Sequence, residues 1–225
     1  MYDIIFISYN EPNADINWEL LKQKFPRAKR VDGVKGIHQA HIAAANKSFT
    51  KMFWVVDGDA VIEPNFKFDY RVTEDKLDHV FVWHSRNPIN DLEYGYGGVK
   101  LLPTRLTKNM DLSKTDMTTS ISNNFCVIPE VSNLTAFNTD EFSTWRSAFR
   151  ECVKLASKTI QGQVDSETEQ RLQTWCSIGF DRKFGEFAVS GACAGREYGH
   201  ANSNNSDALK LINDFKWLEE KYNAG

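Results

Sequence analysis

The sequence predicts an α/β fold: one Rossmann-like domain with a mixed, mainly parallel central sheet flanked by helices. Three observations predict it. Residues 1–59 alternate apolar runs with amphipathic stretches in the order β-α-β-α-β. The first and third apolar runs are hydrophobic almost throughout, as in strands covered on both faces. The chain has 225 residues, 41% of them hydrophobic, enough for a single domain with a full core.

"YDIIFISY" is the first strand, and "NEPNADINWELLKQKFP" carries turn residues into an amphipathic helix that ends near Pro26. "AKRVDG" is a short second strand. In "GVKGIHQAHIAAANKSF", Gly33 and Gly36 precede an Ala-rich helix, and "KMFWVVDGD" is the third strand. The two crossovers imply parallel, right-handed pairing. "HVFVWHSRNPI" and "GGVKLLPT" are strands around the Gly- and Tyr-rich loop "NDLEYGYGG". "KNMDLSKTDMTTSISNN" is polar enough to read as an exposed loop, and "FCVIPEV" as another strand. "STWRSAFRECVKLASKTI" is a helix opened by Ser143 or Thr144, and "ALKLINDFKWLEEKYN" is a last amphipathic helix.

The net charge of −3 exerts no global pull toward nucleic acid or anionic membrane. Cys126, Cys152, Cys176 and Cys193 are widely spaced and form no CxxC pair, which favours free thiols over a zinc site or a disulfide framework. "MYDIIFISYN" has no basic flank and is too short for a leader, and no segment suffices to span a bilayer. The expected location is the cytoplasm.

The candidate chemistry begins at "FWVVDGDAVI". In open α/β sheets ligands bind beyond the carboxyl ends of the strands, where Asp57 and Asp59 fall. Residues i and i+2 of an extended chain point the same way, and Gly58 lets a ligand approach the backbone. Two converging carboxylates suit Mn²⁺ or Mg²⁺, with substrate phosphate and water completing the shell. The alternative is an ordinary Asp-Gly turn. The spacing does not match an EF-hand.

An Asp-x-Asp after the third strand of this pattern resembles the metal motif of GT-A fold, family 2-like nucleotide-sugar glycosyltransferases. The glycine-containing loop and Ala-rich helix "DGVKGIHQAHIAAANKS" resemble the same family, while "SRNPINDLEYGYGGVKLLPT" and "STWRSAFREC" are similar to small phage-encoded members. The resemblance implies a single GT-A-like domain over 1–225, with a nucleotide-sugar-binding half at 1–104 and an acceptor-side half at 105–225. It implies a nucleotide-sugar donor, a UDP-sugar being favoured, and a divalent ion held by Asp57 and Asp59 against the diphosphate. His200, in "GREYGHANS", would be a third metal ligand from a C-terminal loop, and Arg196 would neutralise phosphate. Ser8, Tyr9, Asn10 and Glu11 would meet base and ribose, with Lys35 at a phosphate or base edge. Gly58 would border the phosphates, and Gly97 and Gly98 of "YGYGG" the sugar.

An inverting transferase needs a carboxylate to deprotonate the acceptor hydroxyl. Asp140 or Glu141, ahead of Arg146, resembles that base; an acidic helix cap accounts for the same residues. Phage relatives suggest a hydroxymethyl-pyrimidine in DNA as acceptor, with Arg105, Lys108 and Lys114 tracking phosphates; a saccharide is the other acceptor class. Two alternatives remain: a non-catalytic nucleotide-sugar or nucleic-acid binding module, and another metal-dependent phosphate enzyme such as a nucleotidyltransferase.

Overall fold

A computed structural model describes residues 1–95, 97–114, 116–160 and 162–224. The fold is α/β with a mixed, curled central sheet, and the chain divides into two compact units. Unit 1 comprises residues 1–87 and 93–136, and unit 2 comprises 88–92 and 137–225.

Unit 1 opens as β1 (Asp3–Ser8), α1 (Ala14–Lys24), β2 (Lys29–Asp32), α2 (Ile37–Lys47) and β3 (Met52–Asp57). β4 (Ala60–Ile62), β5 (Val80–Arg86), β6 (Glu93–Tyr94) and β7 (Val99–Pro103) follow. Two short helices, α3 (Thr104–Lys108) and α4 (Met117–Ile121), lead to β8 (Phe125–Thr135). The strand order is β2-β1-β3-β7-β5-β8-β4, with β6 on β5.

The central strands are buried on both faces, which explains their unbroken apolar sequences. Ile4 and Phe6 of β1 and Trp54 and Val56 of β3 pack with Ala14 and Leu21 of α1. Ile5, Ile7 and Val55 face the other way, with Ala44 and Ala45 of α2. Phe66 and Phe68, in the irregular segment after β4, meet Trp54 edge-on with ring centroids 5.9 and 5.2 Å away.

The sheet is mixed, but mainly parallel only at its start. β1–β2, β1–β3 and β5–β8 are parallel, whereas β3–β7, β5–β7, β5–β6 and β4–β8 are antiparallel. A parallel neighbour needs a crossover connection: α1 and α2 supply the two before β3, and the one later parallel pair among the described strands, β5–β8, is joined through β7, α3 and α4.

The curl follows from chain length. Asp57 ends β3 and Ala60 begins β4. Three virtual bonds span at most about 11 Å. Yet β7, β5 and β8 lie between these strands in the sheet, which when flat would separate them by about 19 Å. The β8–β4 edge must therefore bend back toward β3, and Gly58-Asp59 is the link that draws it there.

The polar stretch 108–124 is not simply an exposed loop. Met110, Met117 and Ile121 are buried in the α2-side core, and Asp116 caps α4 by accepting from the Thr119 amide. Three apolar side chains in 17 residues anchor a segment whose average polarity conceals them.

Unit 2 is helical: α5 (Glu141–Ala156), α6 (Asp165–Trp175), α7 (Gly185–Ala201), α8 (Ser206–Lys210) and α9 (Phe215–Asn223). α5 begins before Ser143, because Asp140 supplies the cap. The expected single last helix is broken at Asp214, which caps α9. Trp145, Phe149 and Val153 of α5 form a core with Leu209, Ile212 and Leu218. Among the described residues, no helix is long and apolar enough to cross a membrane.

Candidate functional site

The carboxyl ends of β1, β2 and β3 and the start of β7 converge in unit 1. Gly58 is buried, and its carbonyl accepts from Asn17 Nδ2 at 2.9 Å. A Cβ at this position would lie 2.7 Å from Glu11 Oε2 and 3.2 Å from the Ser8 Cβ. The sequence needs glycine here for space, since the loop after β1 packs directly beneath the Asp-Gly-Asp turn. Glu11 Oε2 also accepts the Tyr9 amide at 2.8 Å, so a third carboxylate joins Asp57 and Asp59.

Asp57 is fixed from two sides. Its amide donates to the Gly98 carbonyl at 2.9 Å, and its Oδ2 accepts from Lys100 Nζ at 2.8 Å. Lys100 also donates to the Gly97 carbonyl. Gly97 has φ 94°, a left-handed conformation that favours glycine. A Cβ on Gly98 would collide with the side-chain amide of Asn133. That amide is itself held by Ser85 Oγ at 2.8 Å and Ser132 Oγ at 2.9 Å. These residues lie where the β5–β8 register shifts, an irregularity that turns polar side chains into an otherwise apolar sheet.

Asp59 is pinned through its carbonyl, which accepts the Ala136 amide at 2.7 Å. Its carboxyl is pushed up to about 7, chiefly by burial, then by the charges of Asp57 and Glu11, with Lys100 partly opposing them. This corner is therefore short of positive charge.

At the neighbouring strand ends, Ser8 Oγ donates to Asp32 Oδ1 at 2.5 Å and accepts from Arg30 Nε at 3.0 Å. The Ser8 bond, together with Arg30, holds Asp32 below the usual carboxylate range. Asn10 and Lys35 are exposed, the latter in the turn between Gly33 and Gly36 before α2. Tyr96 of the "YGYGG" motif lies outside the described residues.

The structure thus gathers Ser8, Tyr9, Glu11, Asp57, Gly58, Asp59, Gly97 and Gly98. It adds Asp32, Lys100 and Asn133, which sequence reasoning missed. The signal for Lys100 was present: a lysine inside the apolar strand "GVKLLP" needs a buried partner. Asp32 was visible as an acid closing β2 beside the end of β1.

Both Asp57 and Asp59 present hard oxygen ligands in a negatively charged corner, which suits a divalent cation. Among the described residues, no group of three or more His, Cys, Asp or Glu side chains is arranged to hold a metal ion. Two protein carboxylates would leave the remaining positions to phosphate and water, the usual state of Mg²⁺. At the opposite end of the same strands, a depression of about 800 Å³ is lined by Phe49, Lys51, Asp75, Arg105 and Lys108. It is the wrong end for the strand-end chemistry, and the acidic corner has the stronger claim.

Of the remaining candidates, Asp140, Glu141, Arg196 and His200 belong to unit 2. Asp140 caps α5, accepting the Ser143 amide at 2.8 Å and Thr139 Oγ1 at 3.1 Å. Burial alone would raise its pKa, but these hydrogen bonds and Arg146 hold it below the ordinary carboxylate range, which weakens it as a base. Glu141, beside it, is exposed. His200 does not lie in a loop; it is exposed in the last turn of α7. The reading as a loop failed because "GACAGREYGHA" is rich in glycine. Arg196 lies on the same helix, its charge acting on the Cys152 and Cys176 thiols. The Cys193 thiol approaches the Cys176 carbonyl at 3.8 Å, and all four cysteines are free. In unit 1, Lys114 is tied to the Thr119 carbonyl at 3.0 Å, while Arg105 and Lys108 are exposed.

Compared with protein-family models and with curated protein sequences, the chain gives no match.

Proposed function

We propose that the chain is a metal-dependent glycosyltransferase of GT-A type that moves a sugar from a nucleotide-sugar donor to a hydroxyl acceptor. One observation carries the reading. Glu11, Asp57 and Asp59 converge on a glycine with no room for a side chain, at the carboxyl edge of the sheet, where burial first and their mutual repulsion second raise Asp59. Evolution of an ordinary turn has no need of that arrangement; a site for a cation and a diphosphate does.

In this reading Asp57 and Asp59 hold the divalent ion, which when bound supplies positive charge to the departing nucleoside diphosphate. Gly58 admits the phosphates close to the backbone. Ser8, Tyr9, Asn10 and Asp32 face the nucleoside, where Asp32 accepts from ribose hydroxyls, and Lys35 answers a phosphate. The Gly97-Gly98 backbone borders the sugar. Because Asp140 is committed to its cap, the proton-accepting role falls to Glu141. A hydroxymethylated pyrimidine in DNA is the acceptor to try first, with saccharides next.

The test is nucleoside diphosphate release from a panel of nucleotide sugars, with Mn²⁺ or with EDTA, using wild type and Asp59→Ala. Release from one donor that needs Mn²⁺ and disappears in the variant is the expected result. No release from any donor, with hydroxymethylated DNA or oligosaccharide present, would end the transferase reading.

A further inference from the structure

We propose that Lys100 is the resident cation of the acidic corner: it occupies the Asp57 carboxylate and competes with a divalent ion for it. The inference rests on the donor-site reading above and adds to it the residue that sets how tightly the metal is held.

Lys100 lies within β7, with its side chain only 5% exposed. Alternation along the strand puts Val99 and Leu101 in the core on the α1 side and Leu102 in the core on the α2 side. Lys100 therefore rises on the α2 side, the side that Val55 and Asp57 share on β3. Lysines are almost never fully buried unless paired. Its ammonium is satisfied by Asp57 Oδ2, at 2.8 Å, and by the Gly97 carbonyl.

On the α2 side, no partner of opposite sign among the described residues draws Lys100 away from Asp57. His41, on α2, is completely buried and feels the Lys100 charge. The His41 Nδ1 lies 2.8 Å from the Ile37 carbonyl, which can only accept, so the proton of the neutral ring is on Nδ1. The ring carries no negative charge to draw the ammonium away from Asp57.

The consequence is a competition. Glu11 lies against Gly58 between Asp57 and Asp59, and Lys100 is bonded to Asp57 alone of the three, so carboxylates outnumber the ammonium and the corner still favours a further cation. That ion must share or displace Lys100 at Asp57 Oδ2, and it also meets the ammonium's repulsion. A lysine placed here weakens the metal in the empty site. When a diphosphate arrives, its oxygens give the ammonium a second anionic partner, so metal and donor bind better together than apart.

The experiment is Mn²⁺ binding to the purified full chain without nucleotide, followed by electron paramagnetic resonance of the free ion. Lys100→Met and Lys100→Gln are each expected to bind Mn²⁺ at least about tenfold tighter than wild type, or about 1.4 kcal/mol. Lys100→Arg, which keeps the charge, should stay within about threefold of wild type, and Asp57→Asn should lose the site. Circular dichroism establishes which variants fold, and either neutral variant suffices. A folded neutral variant with unchanged or weaker affinity would overturn the proposal, as would the absence of Mn²⁺ binding in every variant. Tightened binding with a silent donor panel would sink the transferase reading and leave the role of Lys100 intact. Donor turnover with unchanged Mn²⁺ affinity would do the reverse.

Discussion

The acidic corner of unit 1 and the α5–α7 interface of unit 2 both depend on glycines with no room for a side chain, yet what crowds them differs. At Gly58 and Gly98 the crowding atoms belong mainly to side chains, Glu11 and Asn133. At Gly191, Gly195 and Gly199 they are mainly backbone atoms of Trp145, Phe149 and Val153, the carbonyl oxygen nearest in each case, with the Ala156 Cβ also against Gly199. Those glycines recur every four residues on α7 and meet carbonyls spaced every four on α5, so two ridges interlock with the backbones close together. A side chain can rotate away from an intruding methyl, whereas a helical carbonyl cannot move without its helix. Substitution in the corner should therefore disturb chemistry first, and substitution in the interface should disturb the fold.

The largest effect expected from this contrast is at Gly195→Val. Forcing a branched side chain against the Phe149 carbonyl should cost at least about 3 kcal/mol, lowering the melting temperature by about 6–12 °C in a thermal scan. Gly58→Ala should change stability by less than about 1 kcal/mol, because Glu11 gives way. Its displacement should nonetheless lower metal-dependent donor turnover about a hundredfold in steady-state kinetics. Equal losses of stability in the two variants would break the comparison.

A smaller effect sharpens it on the unit 1 side. His41 is pushed down to about 3, first by burial and then by the charge of Lys100. A depressed folded-state pKa means that the unfolded chain binds the proton more readily. The stability His41 contributes is thus complete above about pH 6.5 and is lost as pH falls toward 3. Denaturant titrations should show wild type losing up to about 1.4 kcal/mol per pH unit from this residue, a slope missing in His41→Leu.

The smallest effect separates two adjacent carboxylates of unit 2. Asp140→Ala should cost about 1 kcal/mol of stability through the lost cap. Glu141→Gln should leave the melting temperature unchanged while abolishing transfer to the acceptor. If Asp140→Asn, which retains a capping oxygen, abolishes transfer instead, the base is Asp140.

The first half of the fold was legible because double-sided burial writes itself as unbroken apolar strands between amphipathic helices. The Asp-Gly-Asp turn was legible for the same reason, since it ends such a strand. α7 was not: its packed face is glycine, which by propensity marks loops and here marks close approach to α5. Lys100 escaped because the buried partner that its apolar strand calls for lies 43 residues earlier, beyond the reach of local pattern. The segment from 108 to 124 misled through its average, which hides three anchoring side chains. Strand directions after β3 were also beyond reach, because hairpin reversals and crossovers leave similar traces in a single sequence.

The two-residue link between β3 and β4 has a consequence for how this architecture can change. The residues offered to a ligand are also the stitch that draws the outer ladder of the sheet inward. Lengthening that stitch would let the β8–β4 edge relax away from β3 and move the acids at the same time. Loops elsewhere on the molecule can grow or shrink as surface ornaments, but here length and chemistry are inherited together. Variants with even one residue added between Asp57 and Ala60 would loosen the curl and displace the ligand corner in a single step.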